Sequence, residues 1–252
     1  MRLAKHLLPL VFLLFLIVKP ACAFEATDGN HPKAILANIF NFQFEKAKAQ
    51  LHTRAINQQD RKFLKIELKW WEAIEKNDKQ ALTDFYSMVK GYKETVEEEN
   101  SYLNLIIHTY ILRYHMAIKN YPAAAIDYFR IKDIMSNHSP SQKGDKRSEQ
   151  LFMLYSSLIE LAEASYHFNP FGKGIDERKK EHIQKITKHA ECDDFIRSTL
   201  GHYFLYKYFS ELADNNGPAR IHRMVLHERF PDNPFFTGTK ENFNQILTEN
   251  TK

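Results

Sequence analysis

Apolar positions recur every three to four residues along most of the chain, the spacing of one helical face. The clearest case runs from Tyr102 to Met135. Leu103, Ile106, Ile107, Tyr110, Ile111, Tyr114 and Ala117 place a broad stripe on one helix. Asn120-Tyr121-Pro122 breaks it, and Pro122 suits the first turn of a second helix, where its missing N–H leaves no bond unmade. That second helix carries Ala125, Ile126, Phe129, Ile131 and Ile134 as its expected apolar side. Two helices joined by so short a turn lie antiparallel, and the pair needs neighbours to cover its outer stripes.

Similar pairs fill the rest of the chain. Ala34 to Phe40 and Phe44 to Leu51 flank a turn at Asn41-Phe42-Gln43. Phe63, Ile66, Leu68, Trp70, Trp71 and Ile74 precede a turn at Asn77-Asp78; Leu82, Phe85, Tyr86 and Val89 follow it, with Gly91 as the expected stop. Asn57 or Asp60 is placed to cap the first of these helices and Asp78 the second. Glu97 to Glu99 suit a solvated first turn, and Ser136 to Ser148 reads as an exposed polar loop. A fourth pair opens at Glu149 and turns at Asn169-Pro170-Phe171-Gly172. A fifth opens at Asp193-Asp194 and turns at Asn215-Asn216-Gly217-Pro218, ending at Phe230-Pro231. Phe243 to Leu247 is a short amphipathic end. The turns repeat about every 36 to 49 residues, inside the range of helical solenoids.

Composition supports helices and narrows the setting. The chain has 252 residues, 44% of them hydrophobic, with only 8 Gly and 9 Pro, so it can bury a core but lacks the turn density of a β-sandwich or barrel. Residues 1–23 have the pattern of a cleavable export signal: Arg2 and Lys5, an apolar run from Leu7 to Val18, then Ala21-Cys22-Ala23. Residues 24–252 then form one domain, exported to the periplasm or cell envelope. A lipoprotein anchored through Cys22 is the alternative, but Lys19 and Pro20 stand where such signals have Leu and a small residue. Loss of Arg2, Lys5 and Lys19 from 35 basic residues leaves 32 against 31 acidic ones, a charge of +1. That balance argues against a nucleic-acid partner. Cys192 is then the only thiol, so no intrachain disulfide is expected.

Three segments resemble the tetratricopeptide repeat. Phe42-Gln43-Phe44-Glu45-Lys46-Ala47-Lys48 and Tyr121-Pro122-Ala123-Ala124-Ala125-Ile126-Asp127-Tyr128-Phe129 resemble the start of its second helix, and Arg229-Phe230-Pro231-Asp232-Asn233-Pro234 its closing proline segment. The overall style is similar to divergent exported members of that family in Bacteroidetes. The resemblance implies an all-α solenoid of antiparallel hairpins and an interaction scaffold, and it brings no catalytic residues with it.

Catalytic and metal patterns are sparse. His182, His189 and Cys192 share a helix face as a conceivable zinc trio, yet no H-E-x-x-H or Glu-x-x-His motif occurs. Ser87-Met88-Val89-Lys90 matches a serine–lysine nucleophile pattern without its companion motifs. Glu160 and Glu163 are acids that a glycan-cleaving enzyme would place in a cleft. Trp70 and Trp71 point about 100° apart on a helix, so either both rings are buried against neighbouring helices, the commoner outcome for aromatics, or one packs between units and the other lines a concave face with Tyr110, Tyr114 or Tyr203. The expectation is therefore an exported, non-enzymatic scaffold without cofactor or metal, binding a protein or peptide through Trp70, Trp71, Tyr110, Tyr114 and Tyr203. The alternative is a helical enzyme or carbohydrate-binding protein acting on envelope glycans.

Overall fold

The computed structural model describes residues 32–52, 56–96, 100–138, 146–165 and 175–237. The export signal with Cys22, the run Glu97–Glu99, the middle of the polar loop, the Asn169–Gly172 turn and Phe243–Leu247 lie outside the described residues.

Ten α-helices and no strand occur among the described residues. They are α1 (Pro32–Phe40), α2 (Phe44–Leu51), α3 (Gln58–Lys76), α4 (Lys79–Lys93), α5 (Ser101–Ala117), α6 (Tyr121–Asn137), α7 (Lys146–Ser165), α8 (Ile175–Ala190), α9 (Phe195–Lys207) and α10 (Asn216–Arg229). A π-helical turn, Tyr208–Leu212, continues α9. Side chains set many of the starts. Asn57, Asp78, Asn100, Asn120 and Asp194 each accept a hydrogen bond from the backbone three residues on. Each such cap stabilises its helix by about 1 kcal/mol. Gly91 does not end α4, which continues to Lys93.

The expected turns are present at Phe42, Asn77 and Lys119, each with a left-handed backbone. Phe42, at φ 61°, is the costly one, because a bulky Cβ is crowded there. Its ring is held against Phe44, Trp71 and Phe235.

The odd-numbered helices form the inside. Each touches the next, α1 to α3, α5, α7 and α9, and α9 meets α1 again. Instead of leaving an open concave groove, the inner helices close on one another. The segment after α10 completes the closure: Asn233 donates from Nδ2 to the Phe40 carbonyl at 2.7 Å, and Phe230 and Phe236 pack on the Phe40 ring. Gly201 lets α9 pass the end of α8 closely, since a Cβ there would sit 2.6 Å from the Ala190 nitrogen.

The even-numbered helices lie outside. α2, α4 and α8 each pack on the inner helix before and the inner helix after. α6 instead packs along α5, and its ion pairs to α7 come from the single side chain of Lys132.

Candidate functional site

Trp70, Trp71, Tyr110, Tyr114 and Tyr203, the expected partner-binding residues, are all buried. Trp70 lies edge-on to Phe85 of α4 and Tyr110 of α5, with centroids 5.3 and 5.6 Å away. Trp71, 1% exposed, packs against Phe40, Tyr203 and the Phe235 and Phe236 rings. The two indoles do face different sets of neighbours, but α3 is covered on both sides, by α4 and α5 on one and by α1 and the C-terminal segment on the other. Trp70, Trp71, Tyr110 and Tyr203 thus share the centre of the inner helices. Tyr114 stands apart, stacked on Tyr86 at 4.3 Å.

A polar knot sits within this centre. Glu67 of α3 accepts hydrogen bonds from the Tyr110 hydroxyl at 2.5 Å and the Tyr155 hydroxyl at 3.2 Å. The Arg113 guanidinium lies over the Trp70 ring at 4.2 Å and over Tyr110 at 4.9 Å. Burial pushes the Glu67 carboxyl above its usual range, against the pull of the Tyr110 bond, the Arg113 charge and the Tyr155 bond. Burial and then the Glu67 charge raise the Tyr110 phenol well above its ordinary value. Sequence periodicity could not single out Glu67, an acid on the apolar side of α3.

This knot joins α3, α5 and α7 and is closed to solvent. Glu67 is 1% exposed. Glycoside cleavage needs two carboxylates facing an open sugar site. The other buried acids are engaged elsewhere: Glu72 pairs with Lys48 and Lys69, both at 2.7 Å, and Asp127 lies 3.0 Å from His108 and 3.6 Å from His115.

The remaining candidates have local partners. Ser87 donates back to the Thr83 carbonyl at 2.9 Å, on an exposed side of α4. Glu160 and Glu163 both accept from Lys132, at 2.6 and 2.9 Å. Burial and the Glu163 hydrogen bond push the Tyr128 phenol up to about 12. The Cys192 thiol donates to the Asp194 carbonyl, and burial followed by the Arg197 charge holds His189 below its usual pKa. Among the described residues no group of three or more His, Cys, Asp or Glu side chains is placed to hold a metal ion. A pair, His202 and His222, meets across α9 and α10 with Nδ1 atoms 3.0 Å apart.

The open apolar surface lies elsewhere, on α6. Ala124, Asp127 and Ile131 face α5 and are buried. On the opposite side Ile126 is 72% and Phe129 68% exposed. Ala125 and Pro122 extend that strip, and Tyr121 stands exposed beside it. Ile126 and Phe129 therefore do not belong to the buried side expected for this helix. Ile221 and Met224 of α10, three residues apart, are likewise exposed. The signal was in the sequence: α6 is apolar on two opposite sides, so α5 can cover only one of them. No protein-family model, no curated protein and no solved structure matches the chain.

Proposed function

We propose that this protein is an exported, non-enzymatic interaction module of tetratricopeptide-like design, working in the periplasm or cell envelope. It engages a protein partner through the outer side of α6 and not through its aromatic interior. The observation that carries this reading is the exposed Ile126–Phe129 strip on a helix of 17 residues that is already anchored to α5. Exposed apolar patches of this kind mark protein contact sites. The alternation of inner and outer helices in antiparallel pairs supports the repeat-like design, and the signal-like residues 1–23 support export. Burial of Trp70, Trp71, Tyr110, Tyr114 and Tyr203 removes the inner face that a peptide or a sugar chain would have used, so the contact surface is sought on the outside.

The test compares residues 24–252 with the double variant Ile126→Asp/Phe129→Asp, both immobilised and exposed to soluble envelope proteins, copies of the chain itself included. Both forms should melt at the same temperature. A protein retained by the first and released by the second is the expected result. Equal retention by both, or retention of soluble envelope glycan strands by either, overturns the reading.

A further inference from the structure

The exposed strip of α6 is self-complementary. Its apolar part occupies the first half of the helix, from Pro122 to Phe129, and Asp133 follows one turn later on the same side. Lys119 stands exposed just before the helix starts. If a second α6 is laid antiparallel with a two-fold axis midway between Ile126 and Phe129, residue pairs across the axis sum to one number. Ile126 then meets the second copy's Phe129, and Ala125 leaves room for the stem of the second copy's Arg130. Asp133 lands opposite Pro122, at the second copy's first helical turn and beside its Lys119. That end of a helix favours negative charge, and Lys119 adds a full positive one. A parallel arrangement would set Asp133 against Asp133 and Lys119 against Lys119.

Two further features agree. Arg130 and Asp133 already pair with each other at 3.2 Å while both stay more than half exposed, so either side chain can turn to a new partner. Residues 24–252 carry 32 basic against 31 acidic residues, a charge of +1, so two copies meet little long-range repulsion.

We propose that α6 is a self-association face, and that the partner in the preceding reading is a second copy of this chain, paired antiparallel about the Ile126–Phe129 axis. This inference rests on that reading. One helix per copy is a small interface, so the dimer is weak and forms in the micromolar range.

The experiment is sedimentation velocity on residues 24–252 from about 2 to 200 µM, a span that brackets weak association. The wild type should shift from monomer to dimer across it. Phe129→Asp should stay monomeric throughout while melting at the wild-type temperature. Asp133→Lys, an exposed polar change that spares the fold even if Phe129→Asp does not, should weaken the dimer about tenfold, the scale of one lost interface contact. Adding Lys119→Asp to Asp133→Lys should restore it, because the swapped charges again face each other. A wild type that remains monomeric at every concentration overturns the proposal but leaves the capture of other envelope proteins as a separate result. Dimers that persist in Phe129→Asp, or a charge swap that restores nothing, overturn the α6 assignment.

Discussion

Two outer helices, α4 and α6, start alike and end in different situations. Both are capped by a side chain, Asp78 and Asn120, and both return antiparallel from an inner helix. α4 fills the space between α3 and α5, with Phe85 against Trp70 at 5.3 Å and Tyr110 at 5.8 Å. Its outward positions, Thr83, Asp84, Ser87 and Lys90, are polar. α6 has α5 beneath it, and yet it carries apolar residues on both sides. The helix with more neighbours has the single apolar stripe. The surplus on α6 lies outside the packing of the described helices, and a water-facing Ile and Phe at helical spacing are the kind of exposed apolar residues that mark contact sites.

The largest expected effect tests that contrast directly. Phe85→Ala empties a fully enclosed site and should cost about 3–5 kcal/mol, read from urea unfolding. Phe129→Ala, on dilute protein, should change stability by no more than about 0.5 kcal/mol. Equal losses would mean that α6 is as enclosed as α4. Next comes the attachment of α6 to α5. Asp127 lies 3.0 Å from the His108 ring nitrogen, within hydrogen-bond distance, and 3.6 Å from His115, just beyond it; all three are buried. Asp127→Ala leaves the buried His108 imidazole without its hydrogen-bond partner and should cost about 1–3 kcal/mol in the same measurement. A neutral result would leave Ala124 and Ile131 packing as the whole attachment.

Much of this contrast could be read before any coordinates. Helix periods, the turns at Phe42, Asn77 and Asn120, and the caps at Asn57, Asp78 and Asp194 follow from local rules, because each involves residues within a turn or two of one another. That aromatics favour burial was legible for Trp70 and Trp71, but which neighbours enclose them was not. The enclosure depends on α9 meeting α1 and on Asn233 reaching Phe40, contacts between ends of the chain that no local pattern encodes. For the same reason nothing local distinguishes Glu67, because its donors Tyr110 and Tyr155 come from two other helices. The α6 strip was half legible: the apolar residues were evident, but which side α5 would cover was a question of packing.

His115 links the two helices and adds a pH dependence. It faces Asp127 of α6 at 3.6 Å and lies 5.3 Å from the Tyr86 ring of α4. Burial holds its pKa below 6.5, with the Asp127 charge opposing. The unfolded chain therefore takes up this proton first as pH falls. Stability from this residue is full above 6.5 and declines as the pH drops from 6.5 toward the lowered folded value. The loss should be about 1 kcal/mol or less between neutral and mildly acidic buffer, read by chemical denaturation. His115→Phe should flatten that part of the profile. An unchanged slope would assign the acid sensitivity to other histidines, such as His202, whose pKa burial and the Arg229 charge lower to about 4.

The smallest expected effect concerns the seam between α6 and α7. Across it Lys132 bridges Glu160 and Glu163, and Tyr128 donates to Glu163. All three members of the ion bridge are between one-fifth and about one-third exposed. Such partly solvated pairs contribute about 0.5 kcal/mol or less, and salt weakens them. Lys132→Met keeps the aliphatic stem and removes the charge, so it should shift the unfolding midpoint only slightly, and less in high salt. Its clearer mark should be faster amide exchange along α6 than along α5, since the bridge steadies an outer helix against a neighbour it barely touches. A loss comparable to Phe85→Ala would mean that this seam is a packed joint like the one under α4. The apolar strip would then belong to a helix clamped on two sides, and the case for a partner would have to rest on Ile126 and Phe129 alone.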